Sequence, residues 1–245
     1  MDPADLKDPA DLGVRPPPAV AAPQRRSFLT WSSAAIVSAL AFGFKFPELS
    51  ISQAYAQRGA AVAAVDLGSG DLGVLNYAYA LEQLEAAYYT QVLATPYSGM
   101  NDYERFVLTE LRAHEVAHVE FFRKALGRNR IPNLEVNFSA VNFASRQSVL
   151  TTSRTFEDLG VSAYNGAGQL LRNPAYLTAA GRIVSVEARH AAIIRDLIVP
   201  LDDDAGFAGD DIIDGNGLDV VRLPSQVLPL AAPFIATPVT ARQLP

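Results

Sequence analysis

The chain has 245 residues, of which 49% are apolar and 19% charged, so it is long and apolar enough to bury the core of one domain. It carries 20 basic and 26 acidic residues, and this net charge of −6 disfavours nucleic acid as a partner. Because there is no cysteine, disulfides, thiolate metal sites and cysteine nucleophiles are excluded. Any bound metal must be held by oxygen and imidazole, and the chain has only three histidines.

Residues 1–56 have the pattern of an export signal. Arg25 and Arg26 precede an uncharged aliphatic run, and Ala54 and Ala56 form the small-x-small pattern of a signal-peptidase site. The run is shorter than the roughly 20 residues of a membrane-spanning helix, so no permanent membrane anchor is expected. The sequence predicts cleavage after Ala56 and export to the periplasm or the extracellular space. The alternative is an amphipathic or apolar N-terminal helix that stays attached.

The next segment, residues 57–200, has the periodicity of four helices, and no stretch shows a convincing strand alternation. A long interval between the second and third helices leaves room for a crossover. The sequence therefore predicts an all-α four-helix bundle made of two helix pairs. The expected helices cover about 71–93, 102–126, 150–171 and 174–198.

Residues 201–245 are acidic at first and then proline-rich, and are expected to form an irregular C-terminal tail that wraps the bundle or stays mobile. Aspartates and glycines in this tail are of the kind that hold calcium. Their spacing lacks the glutamate-terminated loop of a typical calcium site, so a solvated acidic loop is favoured.

Each predicted helix carries a glutamate on the stripe that should face the core. These are Glu82, Glu115, Glu157 and Glu187. Four buried, unpaired carboxylates would cost several kcal/mol per ion, which a domain of ordinary stability does not tolerate. Their charge must be compensated by bound cations or, in a bundle without metal, by Arg112, by Arg154 or by protonation.

Two of these glutamates are followed three residues later by a histidine. Glu115 with His118, and Glu187 with His190, each place a carboxylate and an imidazole one turn apart on one helix face. Four carboxylates balance two divalent cations, and oxygen with imidazole suits iron, manganese or zinc. The sequence thus predicts a two-metal site. His114 points about 100° away from Glu115 and is expected at the surface or an interface.

The helical segments resemble the ferritin-like family that includes desiccation-related proteins and many exported bacterial members. The resemblance covers about residues 70–200 and rests on the stretches 76–89, 110–122, 156–164 and 187–190. It implies a dinuclear iron or manganese carboxylate site. It also implies a role for each ligand: single carboxylates Glu82 and Glu157, bridging carboxylates Glu115 and Glu187, and terminal imidazoles His118 and His190.

Each of three further residues near these ligands has two possible roles. Glu85 lies one turn from Glu82 and is either a replacement ligand or a supporting residue. Tyr89 and Tyr164 fall on the same stripes, where they either donate hydrogen bonds to ligands or simply pack in the core.

The predicted export signal and the predicted two-metal site together indicate an exported protein that acts on O₂ or H₂O₂ in oxidative or desiccation stress. Iron would imply ferroxidase or oxidase chemistry, and manganese would imply catalase-like chemistry. The arginine pair resembles signals of the twin-arginine translocation pathway, whose machinery is then a partner during export. Two alternatives stay open: a non-enzymatic structural or protective protein, and a subunit of an iron-storage shell, which requires a homo-oligomer.

Overall fold

The computed structural model describes residues 63–199 and 206–245. The predicted export signal, with Arg25, Arg26, Ala54 and Ala56, lies outside the described residues. Among the helices that are described, none combines the length and apolar character needed to cross a membrane.

Four long helices form the bundle, and the expectation of an all-α fold is confirmed. They pack as two pairs, α1 with α2 and α3 with α4, and the two pairs close around a common core. The helices are α1 (Gly70–Ala94), α2 (Asp102–Leu126), α3 (Arg146–Gly168) and α4 (Pro174–Ile198).

Local sequence explains where α2 begins and ends and where α4 begins. Asn101 caps α2 in a reciprocal arrangement with Glu104, in which each side chain accepts a hydrogen bond from the other residue's backbone N–H. Asn173 caps α4, whose first residue is a proline. Gly127 ends α2 with a φ of 54°, a conformation that favours glycine.

The third helix begins earlier than periodicity indicates. It starts at Arg146 rather than about residue 150, because Ser145 accepts a hydrogen bond from the Ser148 N–H and caps it. It ends at Gly168, so Leu171 lies beyond the helix. The crossover from α2 is correspondingly shorter, and it is attached to α1 by a hydrogen bond from the Leu134 N–H to the Gln83 side chain.

The C-terminal tail contains two elements that periodicity did not predict. A short helix, α5, spans Pro224–Ala231, and strand β2 (Val239–Thr240) pairs in parallel with β1 (Val65–Asp66). The pairing holds the tail against the start of the bundle, so the described part of the tail wraps the helices.

Two contacts attach the tail to α3 and α4. Arg195, only 3% exposed, pairs with Asp158 of α3 and with Asp211 of the tail through two hydrogen bonds each. At Gly166 a Cβ atom would lie 1.8 Å from the Arg222 carbonyl oxygen, so the tail backbone occupies the space that a side chain would need.

One carboxylate in the acidic loop of the tail accepts hydrogen bonds from the backbone of the same loop. Asp214 accepts hydrogen bonds from the backbone N–H groups of Asn216 and Leu218, which close a tight turn. These backbone bonds also lower the pKa of the Asp214 carboxyl below its usual value.

Candidate metal centre

The four glutamates on the core-facing stripes meet in the middle of the bundle. Each side chain is fully buried, and each comes from a different helix: Glu82 from α1, Glu115 from α2, Glu157 from α3 and Glu187 from α4. His118 and His190 lie one turn further along α2 and α4, as their spacing predicts.

One group of side chains surrounds the imidazole of His118. Its Nδ1 atom lies 3.1 Å from Glu82 Oε2, 3.1 Å from Glu187 Oε1 and 3.4 Å from Glu115 Oε2. One potential ligand atom from each of these four residues lies within 4.8 Å of all the others. All four side chains therefore face one point.

A second group of the same kind surrounds His190. Its Nδ1 atom lies 2.8 Å from Glu115 Oε1, 3.4 Å from Glu157 Oε2 and 3.8 Å from Glu187 Oε2. Again the four potential ligand atoms lie within 4.8 Å of one another. Glu115 and Glu187 belong to both groups, the positions that the family resemblance implies for two bridging carboxylates.

Several buried atoms of this cluster lie within ion-pair distance of a histidine or glutamate but make no hydrogen bond of normal geometry. They are both carboxylate oxygens of Glu115 and of Glu187, Oε2 of Glu157 and Nδ1 of His190. Buried polar atoms in proteins are nearly always hydrogen-bonded, so these six are exceptional. Oxygen and imidazole atoms that face one another in this way are suitable ligands for divalent transition metals, and the residues present therefore fit a metal.

The pattern of the ferritin-like domain family matches residues 70–200, more than half of the chain and all of the cluster. The chain belongs to the ferritin-like domain family. No curated protein matches it.

Carboxylates of the ferritin-like cluster are hard to ionise without a cation. Burial, together with the charges of Glu187 and Glu115, raises the pKa of Glu82 and of Glu85 well above the usual range. Burial also raises the pKa of Glu157 to about 8, although His190 partly opposes this increase. A metal-free protein at neutral pH therefore holds protons among its glutamates.

The pKa of each of the two histidines is raised, which is the opposite of what burial alone would do. Burial alone would lower the pKa of His118, but contacts with Glu115, Glu187 and Glu82 raise it to about 12. Glu157 and the same two shared glutamates raise the pKa of His190 in the same way. Against the effect of burial, both imidazoles lower the pKa of Glu115 to about 2. Because metal ligands must be deprotonated, a bound cation would displace these imidazolium protons.

Both tyrosines that were expected on the core-facing stripes contact the cluster. The Tyr89 hydroxyl donates a hydrogen bond of 2.5 Å to Glu157 Oε1, and the Tyr164 hydroxyl donates one to Glu82 Oε1. Burial and these neighbouring carboxylates raise the pKa of both phenols well above its usual value. The tyrosines thus stay protonated and act as fixed donors that orient two of the carboxylates.

Glu85 is a fifth buried carboxylate beside the ferritin-like cluster, outside both four-residue groups. It lies against Gly160 of α3, where an added Cβ would be 3.2 Å from Glu85 Oε1 and 3.6 Å from Glu187 Oε2. The absence of a side chain at residue 160 leaves the space for both carboxylates. Of the two interpretations of Glu85, the geometry favours a supporting residue, because Glu82 and not Glu85 belongs to a four-residue group of potential ligands.

His114 is exposed, as expected, but it is not isolated from the cluster. Its Nδ1 atom lies 2.9 Å from Nε2 of His190, the ring nitrogen that points away from the glutamates. This contact connects the cluster to the surface. Sequence reasoning missed it because it joins α2 to α4, and the only available signal was the proximity of His114 to Glu115.

Arginine does not compensate the buried glutamates within the described part of the chain. Arg112 instead donates a hydrogen bond to Thr90, and neither Arg112 nor Arg154 lies within ion-pair distance of a cluster carboxylate. Protonation and bound cations are the remaining ways to neutralise the cluster.

Proposed function

We propose that this chain is an exported ferritin-like protein whose cluster binds two iron or two manganese ions and reacts with dioxygen or hydrogen peroxide. The observation that carries the proposal is the pair of four-residue groups that share Glu115 and Glu187. Each group offers three carboxylates and one imidazole, a donor set suited to these metals. Zinc binds similar donors but does not exchange electrons, so it would not support this chemistry.

Two redox-active ions held side by side would supply the two electrons that reduce dioxygen or peroxide. The protein's own residues would hold the two ions and keep their ligands oriented. Glu82 and His118 would hold one ion, Glu157 and His190 the other, and the remaining two glutamates would bridge them. Fixed hydrogen bonds from Tyr164 and Tyr89 would keep the outer carboxylates oriented, which preserves the geometry through a change of metal charge.

A small apolar cavity beside the cluster supports dioxygen as a substrate. The ring of Tyr164 lines it together with Leu81, Phe122 and Ala163, while the hydroxyl of the same tyrosine binds Glu82. Its size suits a molecule about as small as water. Because its walls are apolar, a neutral molecule such as dioxygen enters at less cost than a hydrated ion does.

The proposed place of action is outside the cytoplasm. Support comes from the sequence of residues 1–56, with the arginine pair and the small-x-small site described above. Transport by the twin-arginine machinery would deliver a folded protein with its metal already bound. A role in oxidative or desiccation stress follows from the removal of oxygen or peroxide at the cell envelope.

The experiment is metal analysis of protein purified from its native cell envelope, followed by assays of oxygen and peroxide consumption. We expect about two ions of iron or manganese per chain, and turnover that Glu115→Gln abolishes and Glu110→Gln, an exposed change on the same helix, preserves. Absence of a transition metal would overturn the proposal. Bound metal without turnover would indicate a structural role, and iron accumulation in a large hollow oligomer would indicate storage.

A further inference from the structure

The imidazole rings of His114 on α2 and His190 on α4 lie almost in one plane. Nδ1 of His114 is 2.9 Å from Nε2 of His190, the two ring planes differ by 5°, and the ring centroids are 5.1 Å apart. The centroid separation is close to the nitrogen–nitrogen distance plus the two ring radii, so the rings meet edge to edge rather than face to face. An N–H group lies in the plane of its ring, and hydrogen bonds prefer a nearly straight geometry. The arrangement is therefore that of an N–H···N hydrogen bond between the two imidazoles.

The surroundings of His190 determine which ring donates this hydrogen bond. Nδ1 of His190 lies 2.8 Å from Glu115 Oε1 and 3.4 Å from Glu157 Oε2, on the side where a cation would bind. A neutral imidazole that binds a metal through one nitrogen carries its proton on the other nitrogen. With a cation at Nδ1, Nε2 of His190 is therefore the donor and Nδ1 of His114 the acceptor.

The matching histidine of the other four-residue group, His118, is not held in this way. Its Nδ1 atom faces Glu82 and the two shared glutamates. Within the part of the chain that the structure describes, no side chain or backbone group forms a hydrogen bond with its Nε2 atom. Each group offers three carboxylates and one imidazole. The two groups thus differ in the support of the histidine.

His114 is placed to act through His190 and not on a metal ion directly. The ring of His190 separates it from the glutamates, because Nε2 of that ring contacts His114 and Nδ1 contacts the carboxylates. His114 is also exposed, and substitution of an exposed side chain ordinarily has little effect on stability. The fold itself therefore gives no reason for a histidine at this position.

We propose that His114 is a positioning residue for the metal ion on the His190 side of the cluster. By accepting the Nε2 proton, it fixes the tautomer of His190 and the rotation of its ring, and both direct Nδ1 toward the glutamates. The inference rests on the proposed function, since it assigns His114 a role in binding one of the two ions. It implies that loss of the hydrogen bond weakens one metal position and spares the other.

Two substitutions at residue 114 separate the hydrogen bond from the volume of the side chain. In His114→Asn the amide oxygen is as many bonds from the backbone as Nδ1 is, so an acceptor remains in that place. In His114→Leu a methyl group takes the same place and the acceptor is lost. Both variants should fold like the unmodified chain, because the position is exposed.

The first measurement, nuclear magnetic resonance of the chelated full chain, needs no metal. The chain has three histidines, so ¹⁵N-labelled histidine gives two ring-nitrogen signals from each of only three residues. We expect a scalar coupling across the hydrogen bond between Nδ1 of His114 and Nε2 of His190, with the proton on His190. The coupling should be absent from His114→Leu. Its absence from the unmodified chain would overturn the proposal whether or not the cluster binds metal.

The second measurement is Mn²⁺ binding, in which calorimetry gives the affinities and anomalous diffraction at limiting Mn²⁺ assigns them to the two positions. In His114→Leu, affinity at the His190 position should fall about 10- to 100-fold, while the His118 position is unchanged. His114→Asn should stay close to the unmodified chain.

Three results of the Mn²⁺ titration would overturn the role of His114 alone and leave the proposed function standing. They are unchanged affinities in His114→Leu, equal weakening of both positions, and a loss in His114→Asn as large as that in His114→Leu. An unmodified chain that shows the nitrogen coupling but binds no metal would instead overturn the proposed function, and the positioning role with it.

Discussion

The hydroxyl of Tyr164 on α3 donates a hydrogen bond to Glu82 on α1, 82 residues away in the chain, and holds one carboxylate of the cluster in place. In Tyr164→Phe this carboxylate oxygen loses its donor and can rotate. Loss of such supporting partners weakens metal binding by about 10- to 100-fold. We expect a decrease of that order in the affinity for Mn²⁺, measured by titration calorimetry.

Tyr77→Phe is the natural control for this substitution. The Tyr77 hydroxyl is also buried, but it has no hydrogen-bond partner. Its removal should leave metal affinity unchanged and should not destabilise the protein, because no bond is lost. Equal affinities in the two variants would show that the Tyr164 hydrogen bond does not support the cluster.

Gly160→Ala should disturb the cluster without unfolding α3. The new methyl group would lie 3.2 Å from Glu85 Oε1, which must move to make room. Because alanine favours a helix by up to about 1 kcal/mol over glycine, overall stability should change little. Metal affinity should nevertheless fall about tenfold.

The comparison for Gly160→Ala is Gly181→Ala in α4. At this exposed position a Cβ atom would meet nothing within 4 Å. The substitution should raise the free energy of unfolding by up to about 1 kcal/mol and leave metal binding intact. If Gly160→Ala behaves in the same way, the space beside Glu85 is not required by the cluster.

Stability of the metal-free protein should fall as the pH rises from about 5.5 to 8.5. Since the pKa of Glu157 is raised to about 8, the folded state holds a proton that the unfolded state releases near the ordinary pKa of glutamate. The raised pKa of His118, about 12, acts in the same direction above the ordinary histidine pKa. The lowered pKa of Glu115, about 2, matters only at more acidic pH.

Thermal unfolding after chelation tests this dependence. The melting temperature should decrease across the pH range, and Glu157→Gln should reduce the slope because it removes one of the titrating groups. Saturating Mn²⁺ should raise the melting temperature most at the alkaline end. A melting temperature of the chelated protein that rises with pH would show that the folded cluster does not hold extra protons.

Gly166→Ala should separate the tail from the bundle. A Cβ atom would lie 1.8 Å from the Arg222 carbonyl oxygen, so the tail backbone has to move. Overpacking of this kind costs about 1–3 kcal/mol. Limited proteolysis should then cut the tail sooner. In Gly168→Ala the nearest contact is an ordinary 3.7 Å from Leu177, and the tail should stay as resistant as in the unchanged protein.

Helical periodicity was sufficient to predict which glutamates and histidines lie together in the core of the bundle. A glutamate on each core-facing stripe, and a histidine three residues after two of them, lie where a regular helix places them. The predicted start of α3 was wrong by about four residues, because the Ser145 cap is a local hydrogen bond that periodicity does not include. The pairing of β2 with β1 was missed because two-residue strands carry no alternation.

Contacts between side chains of different helices could not be predicted from the sequence. Glu85 has space beside the cluster because Gly160, on another helix, has no side chain, and no pattern within α1 reveals that space. His114 meets His190 because α2 and α4 are neighbours at that level. Both contacts depend on how two helices are rotated toward each other, which the spacing within one helix does not determine.

If the proposed function is right, Glu115 and Glu187 are shared by two metal ions in the bundle core. Crystals of the metal-loaded chain, measured on both sides of the iron and manganese absorption edges, test it most directly. We predict two anomalous peaks, one bound by Nδ1 of His118 and one by Nδ1 of His190, each about 2.0–2.4 Å from its ligand atoms. No peak in the cluster, or one peak that contacts neither shared glutamate, would show that the cluster is not a two-metal site.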